Sequence, residues 1–257
     1  MKRILILSSI LIFACSNDDS NENNNSPAEK KLLSIELYSL LEQDRCFEWT
    51  NASFEYEGEK IDRVDYQYLQ WNGCYGNYEY YYDDAEYKEY LHLENKIIYT
   101  RSYDGVIQEI PTNLDGTAYG SSFSDEGYIN GGSSSIQFEW SAGNLINIVD
   151  NEGTFQELIS YSEINDVTGF LGLSMCLSFA PLDIDAVSFC QMGLSGRGTA
   201  KLPSRVIYNS NDDNGQIDYS YTLDDDGYPI YIYIDYALTD GSIGVGQQAT
   251  LKLTYTN

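Results

Sequence analysis

The sequence predicts an all-β fold: an antiparallel meander of β-hairpins forming one large curved or partly closed sheet. Three observations lead there. A short apolar–turn–apolar phrase recurs along the chain. Apolar residues alternate with period 2 through the segments around it, which places them on one strand face. The composition is rich in strand formers, with 24 Tyr among 257 residues.

The first clear copy of the phrase runs from Phe54 to Val64, turning at Gly58. The second runs from Phe138 to Ile148, turning at Gly143. The third runs from Tyr221 to Ile232, turning through Asp224-Asp225-Asp226-Gly227. A weaker copy lies at Leu91–Tyr99 around Asn95. Asn, Asp and Gly supply the positive φ that tight hairpin turns need. Leu251, Leu253 and Tyr255 continue the alternation at the C-terminal end. Ile230–Tyr236 is apolar on both faces and predicts a strand covered on both sides or paired centrally. Ala28–Gln43 offers the best helical candidate, yet its Leu33, Ile35 and Leu37 alternate and read as strand. Gly131-Gly132-Ser133-Ser134-Ser135 reads as a flexible loop. Gly169–Gly198 reads as a long excursion that leaves the sheet and returns. No interdomain linker interrupts the pattern, so a single domain is expected over residues 31–257.

The N-terminus carries an address. Met1-Lys2-Arg3 is a positive n-region, and Ile4 to Ala14 is apolar apart from Ser8 and Ser9. A helix this short cannot cross a hydrocarbon core ~30 Å thick, so residues 1–14 read as a signal peptide. Ile12-Phe13-Ala14-Cys15 resembles a bacterial lipobox. That resemblance implies cleavage before Cys15 and its acylation with palmitate-type chains, and two or three such chains anchor stably. Residues 15–30 hold no large apolar side chain and read as an acidic tether. Acidic residues directly after the lipidated Cys resemble the surface-export signal of Bacteroidota lipoproteins. The expected location is the outer membrane, lipid-anchored and facing the cell surface, with the periplasmic face as the alternative.

The other cysteines are Cys46, Cys74, Cys176 and Cys190, an even set in an exported chain. The locally grouped pairs, Cys46–Cys74 and Cys176–Cys190, are the favoured disulfides among three possible connectivities.

The hairpins, the acidic lipoprotein start and the closing phrases together resemble a family of Bacteroidota lipoproteins. The closing phrases are Gly196-Arg197-Gly198-Thr199-Ala200-Lys201-Leu202-Pro203-Ser204, Tyr219-Ser220-Tyr221, Asp226-Gly227-Tyr228-Pro229 and Leu253-Thr254-Tyr255. That family has no assigned function and is described as having a porin-like β fold, which the resemblance implies here. It brings no catalytic residues with it. A membrane pore is not expected, because the strands lack lipid-facing apolar bands with aromatic girdles.

Chemistry is sparse. A net charge of −26 repels nucleic-acid phosphates. The single histidine, His92, excludes multi-His metal sites and reads as a solvent-facing strand residue. No cofactor and no metal site is expected. Asp224–Gly227 and Asn209–Gly215 resemble Ca²⁺ loops only superficially, since the ligand spacing of an EF-hand is missing. Asn51-Ala52-Ser53 matches a glycosylation acceptor, for which a bacterial lipoprotein gives no use.

Tyr78, Tyr80 and Tyr82 share one strand face and are the candidate ligand-facing aromatics, against a plain structural role for them. The expectation is therefore a non-catalytic outer-membrane surface lipoprotein that binds a glycan or protein. The alternative is a structural or assembly lipoprotein of an outer-membrane complex. A glycan binder should present coplanar exposed aromatic rings on a concave surface; an enzyme should bring His92 or paired carboxylates together in a pocket.

Overall fold

A computed structural model describes residues 30–41, 46–71, 83–102, 104–131, 136–177, 184–210, 214–238 and 247–256. The first strands are β1 (Leu32–Leu41), β2 (Cys46–Glu57), β3 (Lys60–Trp71), β4 (Asp83–His92), β5 (Lys96–Arg101) and β6 (Ile107–Pro111). Then come β7 (Ser122–Phe123), β8 (Ile129–Gly131), β9 (Ile136–Ser141), β10 (Asn144–Asp150) and β11 (Phe155–Asn165). Two short helices, α1 (Leu171–Cys176) and α2 (Ile184–Gln191), precede β12 (Lys201–Ser210), β13 (Asn214–Leu223), β14 (Pro229–Leu238) and β15 (Gln247–Tyr255). The candidate helix at residues 28–43 is thus a strand, β1, as its alternation indicates.

All the hairpin phrases form. Gly58 turns β2 into β3 at φ 62°, and Ala142-Gly143 turns β9 into β10 at φ 49° and 76°. Asp224–Gly227 turns β13 into β14, with Asp224 Oδ1 accepting from the N–H groups of Asp226 and Tyr228 at 3.0 and 2.9 Å. The 15 strands make one antiparallel sheet in which β1 pairs with β15, so the two chain ends meet mid-sheet. Its edges, β6 and β7, are formed by the middle of the chain.

That topology forces curvature. A flat sheet of 15 strands spaced ~4.8 Å apart would hold its edges roughly 67 Å apart. The segment 112–121 joins those edges and spans at most about 40 Å when fully extended. A bridge between Thr112 and Ala118 shortens it further. The sheet therefore curls until its edges approach, without a β6–β7 ladder to close it into a barrel.

The curl is filled. The excursion expected at 169–198 leaves the sheet and folds into α1 and α2, which pack on each other inside the concave face. Every residue of α1 is buried. Inward-facing Ile35, Ala52, Val64, Leu145, Ile217, Ile232 and Leu251 meet Leu173, Met175 and Val187 in one apolar core. Polar contacts fix α2 against the opposite wall. Asp185 accepts from the Tyr66 hydroxyl at 3.0 Å and from Lys88 at 2.5 Å, and Gln191 Nε2 donates to the Tyr56 hydroxyl.

The closing phrase after α2 packs at van der Waals limits. A Cβ built on Gly198 would lie 1.9 Å from the carbonyl oxygen of Gly169. Tyrosine here is largely a core residue with a polar tip that finds a carbonyl: Tyr161 donates to Leu145 and Tyr56 to Leu32, both at 2.7 Å, and Tyr221 donates to Pro203. The buried hydroxyls of Tyr236 and Tyr255 have no such partner. Tyr236→Phe is therefore expected to raise stability by about 1 kcal/mol, because it removes an unsatisfied buried polar group; denaturant unfolding measures it.

The expected Cys176–Cys190 disulfide is absent, and both are free, buried thiols. Cys176 sits at the end of α1 with its sulfur 3.5 Å from the Tyr161 hydroxyl on β11, while Cys190 lies on α2. Burial pushes both thiols up to about 12, so they behave as small core hydrophobes. Cys74 and the side chain of Cys46 lie outside the described residues, as do Cys15, Tyr78, Tyr80, Tyr82 and the Gly132–Ser135 part of the expected loop.

Candidate functional site

Alternation along the strands leaves the outer, convex face to the residues that do not pack on α1 and α2. On β14 this separates Ile232 and Ile234, both buried, from Tyr231, Tyr233 and Asp235. The strand is central, between β13 and β15, as expected, but only one of its faces is covered. Tyr233 is 42% exposed. The rings of Tyr231 and Tyr233 lie nearly parallel, with centroids 6.3 Å apart and planes at 17°.

Register carries this outer face across the neighbouring strands. Tyr231 opposes Lys252 and Tyr233 opposes Thr250 on β15; these in turn oppose Glu36 and Tyr38 on β1. Glu36 accepts from Lys252 Nζ at 2.6 Å and from the Tyr38 hydroxyl at 2.7 Å. Both bonds favour the carboxylate, so Glu36 is held below its usual pKa, and its charge raises that of Lys252. Tyr38 and Tyr233 stand exposed on either side of Thr250, in the row next to this ion pair.

Beyond β1 the face continues into a shallow groove of about 370 Å³ over β2, β3 and β4. Asn51, Ser53, Gln67 and Glu86 line it, and Arg63 and Tyr87 form one wall. The Arg63 guanidinium lies 3.9 Å from the Tyr87 ring centroid. It also donates to Asp65 at 2.6 Å and faces Glu89 at 3.4 Å. The strip thus joins stacked rings, amides, hydroxyls and a few ion pairs with an excess of acids on one sheet face. Such a surface stacks on, and hydrogen-bonds to, an uncharged polyhydroxylated ligand.

The polarity of the sheet is the reverse of a membrane pore. The inside is apolar and packed, whereas Arg63, Asp65, Glu89, Arg205, Asp218 and Asp235 occupy strands on the outside. An outward band in lipid requires apolar side chains there.

Comparison with solved structures gives the same architecture. The chain is similar in fold to a porin-like protein from Bacteroides uniformis. That match has a TM-score of 0.55 at 14% identity and covers 88% of this chain and 98% of the other. A porin-like protein from Bacteroides vulgatus matches with a TM-score of 0.31 at 14% identity, covering 88% and 99%. A DUF4623 family protein from Bacteroides eggerthii matches with a TM-score of 0.17 at 12% identity, covering 80% and 56%. No family model matches the sequence, and no curated protein matches it. At this identity the first likeness establishes fold alone.

Other sequence-derived candidates resolve differently. His92 does not face solvent. It is half-buried and shares the inward face with Tyr90, while its neighbours Leu91 and Leu93 are 57% and 43% exposed. Its Nε2 donates to the carbonyl of Ile61 at 2.7 Å. It lines a cleft of about 340 Å³ with Glu59, Glu94 and Asp115, and among the described residues no carboxylate bonds to its ring. Asp115 accepts from the Thr117 N–H and hydroxyl at 3.0 and 2.7 Å, which hold its carboxyl below its usual pKa. Asp224 and Asp226 both pair with Lys30 Nζ, at 2.8 and 2.6 Å. Asn211–Asp213 of the other acidic loop lie outside the described residues. Asn51 belongs to β2 and lines the outer groove. Among the described residues no cluster of His, Cys, Asp and Glu has a metal-holding arrangement.

Sequence reasoning missed the outer strip. The aromatics it named, Tyr78, Tyr80 and Tyr82, lie outside the described residues, and the concave surface on which it looked for aromatic rings is occupied by the helices. The alternation of Tyr231, Tyr233 and Asp235 with Ile232 and Ile234 was the available signal.

Proposed function

We propose that this protein is a non-catalytic lipoprotein of the outer-membrane surface that binds an uncharged glycan along the outer face of β14, β15 and β1–β4. The observation that carries the reading is the near-parallel pair of half-buried Tyr231 and exposed Tyr233 beside the Glu36–Lys252–Tyr38 cluster. Rings in that arrangement form a platform for the apolar faces of sugars. Arg63 and Lys252 are each paired with a carboxylate, and the further acids Glu86, Glu89 and Asp235 leave the strip net acidic, which disfavours an anionic ligand and suits a neutral one. The Met1–Cys15 lipoprotein pattern and the acidic tether support the location.

The purified protein on a glycan array should retain neutral polysaccharides. The double substitution Tyr231→Ala and Tyr233→Ala should weaken that binding at least tenfold, at about 1 kcal/mol or more per lost stacking contact. Unchanged binding by the double variant would exclude this face. Failure of the wild type to bind any glycan would move the function to a protein partner.

A further inference from the structure

The motif Gly196-Arg197-Gly198-Thr199 has no part in the outer strip. Eleven Lys and Arg side chains fall within the described residues, and only Lys60 and Arg197 lack a carboxylate partner. In a chain of net charge −26 an unpaired guanidinium is conspicuous. Arg197 is also held in place. Its N–H donates to the Gly127 carbonyl at 2.9 Å, and its guanidinium lies 5.2 Å from the Tyr128 ring centroid. Tyr128 in turn stacks on Trp140 at 4.5 Å, and Trp140 Nε1 donates to the Ile129 carbonyl at 2.6 Å. The adjoining turn holds two acids, Asp125 and Glu126, and Glu126 is engaged by Ser124.

Beside Arg197 lies a cavity of about 170 Å³, lined by Tyr128, Gly169, Arg197, Gly198, Thr199 and Ala200. Gly198 and Thr199 are among its lining residues, and neither N–H meets a protein acceptor among the described residues. The Thr199 hydroxyl is turned to the Lys201 carbonyl at 2.9 Å. An anchored guanidinium next to two unused consecutive N–H groups is the donor set of an oxyanion site. Arg suits it better than Lys, since its planar fork meets two oxygens at once.

We propose that Arg197, with the Gly198 and Thr199 N–H groups, binds an oxyanion, namely the carboxylate, sulfate or phosphate of a ligand. Stacking on Tyr128 sets the fork before the anion arrives, which lowers the entropy lost on binding. This site stands apart from the proposed glycan strip and does not depend on it.

The test is an amide and guanidinium NMR titration of the purified protein at constant ionic strength, with chloride as the balancing anion. The probes are galacturonate, inorganic sulfate and inorganic phosphate. At least one should give saturable shifts at the Arg197 Nε–H and at the Gly198 and Thr199 amides, and the one that does names the chemical source. Arg197→Gln should weaken it at least tenfold. Should that variant misfold, Arg197→Lys should weaken it at least threefold, because charge remains and the fork is lost. Non-saturating shifts for all three anions overturn the proposal. So does an unchanged affinity in the folded variant.

Discussion

Gly198→Ala is expected to lose about 3 kcal/mol of stability or more, at or beyond the top of the usual overpacking range, because backbone and not a flexible side chain must move. The cause is space alone, since Gly198 does not occupy the left-handed region. The new methyl would sit 1.9 Å from the Gly169 oxygen, 2.7 Å from its carbonyl carbon and 3.3 Å from the Phe170 nitrogen. Gly169 itself turns the chain into α1 at φ 72°, so that backbone has little freedom to retreat. At about 2–4 °C per kcal/mol for a domain of this size, the melting temperature should fall by roughly 6 °C or more. Gly153→Ala is the control. Gly153 has a positive φ of 68° but nothing within 4 Å, so only backbone strain of about 1 kcal/mol is expected there. Equal melting shifts for the two variants would show that the contact between the α1 entry and the closing phrase is not tight.

Glu157→Gln should change how stability responds to pH. Glu157 is only 3% exposed, on the inward face of β11, with Ile148 and Tyr208 opposite it and Cys176 and Tyr219 nearby. Loss of water raises its carboxyl from 4.5 to about 8. Between those values the folded protein keeps a proton that the unfolded chain has released. Raising the pH therefore lowers stability by ~1.4 kcal/mol per pH unit across this window, and the loss is complete above about pH 8. The Gln variant has no such proton. Near pH 4 the two proteins should be similarly stable; at pH 9 the variant should be ahead by several kcal/mol. Carboxylates whose pKa is lowered, such as Glu36, Asp150 and Glu163, lose stability on acidification in both proteins alike and drop out of the difference. Urea unfolding at pH 4, 6, 8 and 9 reads it. Parallel pH profiles would mean that Glu157 titrates like an ordinary surface acid.

Buried Glu157 also explains why the interior resisted reading. In sequence it is one of 40 acids in an alternating strand, and only the helices lying over β11 make it internal. His92 shows the same limit. Alternation places it opposite Leu91 and Leu93, but hydropathy assigns the wrong one of the two faces. The carbonyl of Ile61 on the neighbouring strand is what draws the imidazole inward.

By itself the sequence determined the hairpins. Period-2 alternation and Gly at positions such as 58, 143 and 227 are local instructions, complete within a dozen residues, and each produced a hairpin where it was written. Closure of β15 onto β1, the curl of the sheet and the choice of its filled side were decided only in three dimensions. Helices of 6 and 8 residues are too short to show a 3.6-residue period, and α1, buried all round, has no polar stripe to reveal it. Once those helices occupy the concavity, the remaining face of β14 must be the outer one, and Tyr231 and Tyr233 become surface.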